Sequence, residues 1–589
     1  MSRLIRPRQS AAPPGADDGP APGGPGRAIR PRPPPSTAPE LDPSGRWWAP
    51  WVLALVVALV GLWAPGPTTL TADEPIWLAR SDRFVEAVRS GDLDSADARL
   101  YANVSTMPGV TTMLAGGLGR GLAHVGDAVG ISAPVTGPSV ESPQVLRAAR
   151  GVVTVTCAAL LGLLVVLAAR LVGRRAALVG GALLGAEPFV AGHAGVLHTD
   201  AMVTMFGAVS IVAAMAALWA PTRPRRPPWP DPGLAAVSAV AGGLALLTKL
   251  NAVALVVPAL VVVAVIDLVL LGRARRGSTP VTEAVGRPVV LAATWLVGAV
   301  GTVVVLWPAL WTSPLTQLDN MRDSARLADQ PYPTFFDGEV VVGPGWTFLP
   351  TVVLHRMTPW LLLGGAVAVV AAVVHLVRPW APVRRRVVAA LLVAPVPYLL
   401  VVGGATKVYD RYALPVWPFL ALLAGVAVDG GLRRLPRDLR EHRLVPALGA
   451  AALAVALLLD ASASPYRTAY ASPLGGGQQG ALESIPVGWR EGMAAVGQTV
   501  AEREGDRCDE VVVYARYDNR IAFPCGRLLS TEAQLAGQEP DYIVRDVSQL
   551  QRPIFDRTLG LIPARATLVD ELRIGGVTYA ELWEVDHDG

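Results

Sequence analysis

Hydrophobic and polar positions along this chain fall into long blocks, not into the short amphipathic periods of a soluble domain. Apolar runs long enough to cross a bilayer recur between Trp47 and Leu459. Eleven stand out, at 47–65, 147–170, 175–192, 200–220, 233–248, 251–272, 288–308, 358–377, 386–404, 411–429 and 444–460. The pattern predicts a polytopic α-helical membrane protein with about 11 transmembrane helices. Between the runs, arginines cluster in alternate connections. Arg174 and Arg175; Arg223, Arg225 and Arg226; Arg273, Arg275 and Arg276; Arg378 with Arg384, Arg385 and Arg386; and Arg433, Arg434, Arg437 and Arg440 all fall on one side, as does the basic stretch 1–46. The positive-inside tendency makes that side cytoplasmic. The segments 66–146, 193–200, Thr248 to Asn251, 309–357 and Ala405 to Arg411 then face outward. An odd number of spans also puts everything from Ala461 outside.

In the outward segments the period changes. Leu70 to Gly91 reads LTADEPIWLARSDRFVEAVRSG. Pro75 suits a first helical position and biases Glu74 toward extended backbone. Trp77, Phe84, Val85 and Val88 then share a face, and Arg80, Asp82, Arg83, Glu86 and Arg89 fill much of the rest, so an amphipathic helix over 75–89 is expected along the membrane surface. A second helix is expected over about 108–126, started by Pro108. The 309–357 segment, with PYPTFFDG and GPGWTF, reads as irregular. Residues 461–589 mix helix-like 488–503 with strand-like VVVYA (511–515), DYIVRD (541–546) and VTYAELWEV (577–585), a small α/β domain. Residues 1–46, rich in Pro, Ala, Gly and Arg, cannot bury enough apolar surface to order themselves and are expected to be a disordered tail. No small-residue cleavage site closes the first apolar run, so no cleavable signal is expected.

Composition supports the membrane reading. The chain of 589 residues is 52% hydrophobic and 17% charged, where soluble domains carry about a quarter charged residues; its mean hydropathy is +0.41. The net charge of +4 is spread over short loop clusters, so no nucleic-acid partner is expected. Cys157 lies in an apolar run and reads as a packed small hydrophobe. Cys508 and Cys525 share the polar C-terminal region, where an oxidising compartment makes a disulfide plausible without the spacing deciding it.

Candidate chemistry collects in the outward segments. Asp73 and Glu74 are adjacent, so they do not point the same way as a shared-proton pair would; they either favour a helix start or serve a site. The stretch EPFVAGHAGVLHTDAMVTMF sets Glu187, His193, His198 and Asp200 among apolar neighbours, where ionisable groups are costly and functional by default. The blander readings are an interfacial histidine for His198 and a helix cap for Asp200. The His/Asp spacing is too loose to assert a metal site. Lys249, and Lys407, Tyr409, Asp410 and Arg411, stand at outward turns, either snorkelling to headgroups or clamping a phosphate.

Taken together, the Asp73–Glu74 pair after the first run, PGVTTM (108–113), LHTDA (197–201), LTKLN around Lys249 and DRYALPVWP (410–418) resemble the membrane-embedded GT-C glycosyltransferases, in particular family-39-like relatives of protein O-mannosyltransferases and aminoarabinose transferases. The resemblance covers roughly 48–460 and extends through YASPLGGG (470–477) and PVGWREG (486–492). Met107 departs from it, since relatives often carry His there, and takes no catalytic role. The resemblance implies a GT-C-like catalytic domain over 47–460 followed by an extracytoplasmic α/β domain over 461–589. It implies a polyprenyl-phosphate-linked sugar donor and an acceptor hydroxyl on a protein, glycan or lipid, handled in the cell membrane with membrane lipids as neighbours. It implies Asp73 as general base, Glu74 orienting the acceptor or the loop, and Arg411, Lys407 and Lys249, in that order, on the donor phosphate. His198, Asp200 and Tyr409 are further candidates; no cofactor is implied with certainty and a divalent metal stays open. The rival readings are a transporter or lipid flippase, and a non-catalytic scaffold with a cell-wall-binding outer domain.

Overall fold

The computed structural model describes residues 48–62, 69–94, 109–220, 229–274, 281–328, 330–377, 382–442, 444–516, 519–530, 538–552 and 565–587. The 1–46 tail, Met107, Pro108, and Arg223, Arg225, Arg226, Arg275, Arg276 and Arg378 lie outside the described residues.

Each of the eleven apolar runs is helical over most of its described residues. In chain order the first elements are α1 (Ala49–Leu62), α2 (Glu74–Ser90), α3 (Val110–Ala128), α4 (Pro143–Val172), α5 (Arg174–Gly185), α6 (Pro188–Ala194), α7 (Asp200–Trp219), α8 (Pro232–Thr248), α9 (Ala252–Ala274) and α10 (Val281–Leu306). Among the described residues six helical stretches are long and apolar enough to cross a membrane, and α5 with α6 make a seventh if the bent pair is one span. Apolar helices at 49–62, 232–248, 359–374 and 447–462 are shorter. The expected eleven therefore stand as six or seven by length, with four shorter apolar helices beside them.

The bundle is built around α7, all of whose residues are buried. Its small residues let neighbours approach closely, and Ser210 and Ser238 exchange hydroxyl-to-carbonyl bonds of 2.8 and 2.7 Å between α7 and α8. Pro188 starts α6 where no N–H is needed, and the chain bends by 71° there. The bend leaves Glu187 fully buried, accepting from the Thr358 N–H (3.2 Å), the Thr358 hydroxyl and the Trp417 indole N–H (3.2 Å). That lock holds the break between α5 and α6.

At the opposite end of the helices charges gather again. Asp267 of α9 is fully buried, accepts from Trp219 of α7 at 2.9 Å, and faces Arg386 at 3.6 Å and Arg287 of α10 at 4.0 Å. Asp429 pairs with Arg433 at 2.7 Å and Arg384 at 3.5 Å.

The helix expected over 75–89 is α2, but its buried face is rotated from the expected one. Arg80 is buried, with its guanidinium 4.4 Å from the centre of the Trp77 ring, while Val88 is exposed. The reason is that α2 crosses α3 closely. A Cβ on Gly116 would meet the Ser81 hydroxyl at 2.1 Å, and one on Gly109, whose φ is +64°, would meet Trp77 at 2.4 Å. The 309–357 segment is not irregular. It holds a helix (Pro314–Ala328), a hairpin of β1 (Pro333–Phe336) and β2 (Glu339–Val342), and a helix (Phe348–Arg356). The hairpin turns on Asp337 and Gly338, both at positive φ, which is the Asp-Gly signature of a two-residue turn.

The C-terminal region forms a five-stranded sheet of β3 (Val512–Ala515), β4 (Arg527–Leu529), β5 (Tyr542–Asp546), β6 (Ala566–Ile574) and β7 (Val577–Val585), in the order β4-β3-β5-β7-β6. β3 pairs in parallel with β4 and β5, and β7 runs antiparallel to β5 and β6. A helix at Met493–Glu504 packs against it, beginning five residues later than the helix-like stretch at 488. Cys508 and Cys525 are bonded.

Candidate active site

Asp73 occupies the N-cap position of α2, yet its carboxylate makes no capping bond. It turns away from its own helix. One oxygen, Oδ2, accepts from the Trp489 indole N–H at 3.1 Å and the Arg411 guanidinium at 3.4 Å, and faces His198 Nε2 at 3.4 Å. The side chain is 33% exposed. The helix-start reading therefore does not account for this carboxylate. Burial alone would raise its pKa, but the His198 hydrogen bond and the His198 and Arg411 charges hold it well below the usual carboxylate range.

Glu74 points the other way. Fully buried, it takes Arg150 Nε at 2.7 Å and Nη2 at 2.6 Å, the Thr71 N–H at 3.0 Å and hydroxyl at 3.1 Å, and the Leu197 N–H at 2.9 Å. Burial opposes ionisation, but Arg150 and the two backbone donors outweigh it and lower its pKa. Of its two expected roles, orienting the loop matches this geometry; contact with an acceptor has no open face.

Behind Asp73 lies a buried chain of charge. His198 Nδ1 faces Asp200 Oδ2 at 2.9 Å, Lys249 Nζ reaches Asp200 Oδ1 at 2.5 Å, and Arg411 Nε lies 3.1 Å from Asp200 Oδ2. Asp200 is thus the first residue of α7 rather than its cap, and its carboxylate is shared by three cations. Burial disfavours a charged His198, but Asp200 and Asp73 together raise its pKa. Arg411 also lies 4.2 Å from the Tyr409 ring centre and 4.5 Å from that of Trp489. Lys249 sits 4.2 Å over Tyr412. Lys407 stands apart, 4.9 Å over Tyr332 and 6.0 Å over Tyr409. The sequence candidates thus converge on one place, except that Lys407 joins only through aromatic rings.

The convergence encloses a cavity of about 230 Å³, bordered by Asp73, Arg411 and Tyr409 from the helical part and by Trp489, Glu491 and Arg490 from the C-terminal region. Gly488 (φ +84°) and Arg490 (φ +73°) fold the chain sharply around Trp489. A Cβ at Gly488 would meet Val547 at 2.4 Å. Trp489 stacks on His193 with centroids 5.7 Å apart and meets His198 edge-on at 4.9 Å. Its backbone N–H donates to Glu491, whose pKa burial raises. Arg356, 2% exposed, ties this wall down, reaching Asp410 at 2.8 Å, the Tyr470 carbonyl at 2.8 Å and the Pro486 carbonyl at 3.4 Å.

Trp489, Arg356 and Arg150 are site residues that the sequence candidates do not include, whereas His193 is one of them. The PVGWREG motif was the available signal for Trp489, because a tryptophan between a glycine and charged residues in an otherwise polar tail invites a role. Nothing marks Arg150 or Arg356, whose importance lies in long-range contacts. Among the described residues no group of three or more His, Cys, Asp or Glu is arranged to hold a metal ion.

No family model and no curated protein matches the chain. Among solved structures it is similar to ArnT from Cupriavidus metallidurans bound to undecaprenyl phosphate, at 14% identity over 92% of this chain and 98% of that one, with a TM-score of 0.48. It is also similar to the Archaeoglobus fulgidus oligosaccharyltransferase in the apo form, at 14% identity over 86% of this chain and 70% of that one, TM-score 0.40. A third is the arabinofuranosyltransferase AftD from Mycobacteria, at 17% identity over 92% of this chain and 40% of that one, TM-score 0.40.

Proposed function

We propose that this chain is a membrane glycosyltransferase that moves a sugar from a polyprenyl-phosphate donor to an acceptor hydroxyl at the outer face of the cell membrane. The observation that carries the reading is Asp73: a carboxylate at a helix start that caps nothing, opens onto a cavity, and is kept ionised by His198 and Arg411. An ionised carboxylate beside an acceptor hydroxyl accepts its proton as the anomeric carbon is attacked. A strongly depressed pKa makes Asp73 a weak base, which suits a reaction in which the sugar–phosphate bond loosens first. The attacking hydroxyl becomes acidic only as its new bond forms, and it then yields its proton even to a weak base.

The departing phosphate needs positive charge. Arg411 is already shared between Asp73 and Asp200, and Lys249 is held by Asp200. Lys407 lies over the Tyr332 and Tyr409 rings and, among the described residues, has no carboxylate at its side. We therefore assign the leaving phosphate to Arg411 and Lys407, and Lys249 to the support of Asp200, with His198 and Tyr409 orienting Asp73 and Arg411. Glu74 is a positioning residue.

The reading places residues 47–460 as the catalytic membrane part and 461–589 outside, closing the site with Trp489. The test is an assay of the purified chain in lipid with a panel of radiolabelled polyprenyl-phosphate sugars and acceptors, with Asp73→Asn as the matched control. Transfer from one donor by the wild type and its loss in the variant is the expected result. No transfer from any polyprenyl-phosphate sugar, or equal transfer by the variant, overturns the reading.

A further inference from the structure

A second and larger cavity, of about 410 Å³, lies behind the loop that carries Asp73. The two cavities share Thr468 and are separated by the strip from Thr69 to Glu74, with Thr71 lining this one and Ala72 and Asp73 the other. Arg150 forms its wall, its guanidinium already committed to Glu74 and to the Thr69 carbonyl at 2.6 Å. Two further cations line it. Arg147, one turn away on α4, is exposed at the rim and makes no ion pair among the described residues. Arg467 is 5% exposed and its Nη2 faces the Asp460 carboxylate at 3.2 Å, while the neighbouring buried Ser464 hydroxyl makes no hydrogen bond among the described residues.

The cavity does not end in polar groups. It shares Gly61, Thr154 and Ala191 with a mostly apolar cleft of about 50 Å³ whose walls include Val57 of α1, Leu161 of α4, Leu184 of α5 and Met205 of α7, with Asp460 among its lining. A cationic chamber at the end of transmembrane helices, opening onto an apolar cleft between them, matches a molecule with a negative head and a hydrocarbon tail. A soluble sugar or nucleotide would leave the cleft empty, and a neutral lipid would leave Arg147 without a counter-charge. Phosphate oxygens suit guanidinium forks.

We infer that this cavity binds a phosphate-headed anionic lipid of the bilayer, its headgroup at Arg147 and Arg467 and its chain along the cleft between α1, α4 and α5. The headgroup then sits directly behind the Arg150–Glu74 strut that holds the catalytic loop.

The full chain, purified and reconstituted in discs of phosphatidylcholine with a minor fraction of phosphatidylglycerol, tests this by counting lipids retained in native mass spectrometry. The wild type retains phosphatidylglycerol in preference to phosphatidylcholine. Arg147→Glu replaces an attraction with a repulsion and loses that preference roughly tenfold, since each cation near an anionic surface matters at about this scale. Gly151→Leu puts a side chain into the cavity from α4, where a Cβ meets only Leu62 at 3.5 Å, and it loses retention of either lipid. Equal retention by all three chains means bulk lipid only and overturns the site. Displacement of the lipid by millimolar inorganic phosphate means a site for soluble anions and overturns the lipid occupant. The count needs no sugar donor, so a chain that retains the lipid but transfers no sugar fails only the proposed function.

Discussion

At the scale of single residues, the site is a contest over one oxygen. Asp73 Oδ2 takes the indole of Trp489, the guanidinium of Arg411 and the imidazole of His198, and those contacts outweigh the cost of burial. Asp73→Asn keeps the shape and removes the charge, so transfer should fall by roughly 10²–10⁴-fold. No cap is lost, but the His198 and Arg411 contacts that lower the Asp73 pKa also favour the folded state at neutral pH, so a modest fall in melting temperature accompanies it. Arg411→Ala removes one of the charges that lower the Asp73 pKa. The acidic limb of the pH–rate profile should then move to higher pH, and Arg411→Lys should restore part of the shift without the fork. A limb that stays in place in Arg411→Ala would separate Asp73 from the rate. His198 gives the opposite sign. Its raised pKa means that its stabilisation is fully present below its unfolded value of about 6.5 and is lost as pH climbs through the folded value. Wild type should therefore exceed His198→Gln in melting temperature by more at about pH 5.5 than at about pH 9. A gap that widens with pH would show that the histidine is held neutral.

At the scale of elements, two connections decide whether the site exists. The first is the Arg150–Glu74 strut between α4 and α2. Glu74→Gln leaves a largely buried guanidinium without its counter-ion, a change that costs about 3–5 kcal/mol. The expected outcome is a large fall in melting temperature, together with reduced transfer, whereas Asp73→Asn reduces transfer with a smaller fall in melting temperature. The second is the turn at 488–490, which swings Trp489 onto His193 and Asp73. Trp489→Phe keeps the ring and loses one hydrogen bond; Trp489→Ala opens the wall. Binding and turnover measured for both should decline in that order, and wild-type turnover in Trp489→Ala would remove the C-terminal region from the site. These connections also show what the sequence could reveal. Long uninterrupted apolar blocks stand out without any period, so every apolar run is legible in the sequence, as is the gathering of Asp73, His198, Asp200, Lys249 and Arg411 at one end. The rotation of α2 was not legible, because Arg80 is buried by a helix that packs on it from 30 residues away. Trp489 and Arg150 act over separations of 416 and 76 residues, which no local pattern encodes. The β1–β2 hairpin is a different case: its Asp-Gly turn is written in FFDGEVVV, but the prolines and glycines around it give the segment the composition of an irregular loop.

At the scale of the whole molecule, charge separates along the helices. Asp73, His198, Lys249, Arg411 and the C-terminal sheet lie at one end, and the Asp267–Arg287–Arg386 and Asp429–Arg384–Arg433 groups lie at the other. Among the described residues the second end also carries Arg175 and Arg434 without a carboxylate partner, and an excess of arginine favours the cytoplasmic side. With that end inside, the cavity at Asp73 faces outward and the bond between Cys508 and Cys525 lies in an oxidising compartment. Single cysteines test the sidedness in a background where Cys508 and Cys525 keep their bond and Cys157 is buried. Gly488 is unsuitable for the outer label because a side chain there strikes Val547, whereas Gln479 is exposed on the same side and Arg434 is exposed on the other. Intact cells treated with a membrane-impermeant maleimide should label Gln479→Cys at once and Arg434→Cys only after permeabilisation. Cys508 and Cys525 should react only after reduction. Labelling of Arg434→Cys from outside would invert the molecule, turn the Asp73 cavity toward the cytoplasm, and remove the physical basis for a donor and acceptor that meet at the outer surface.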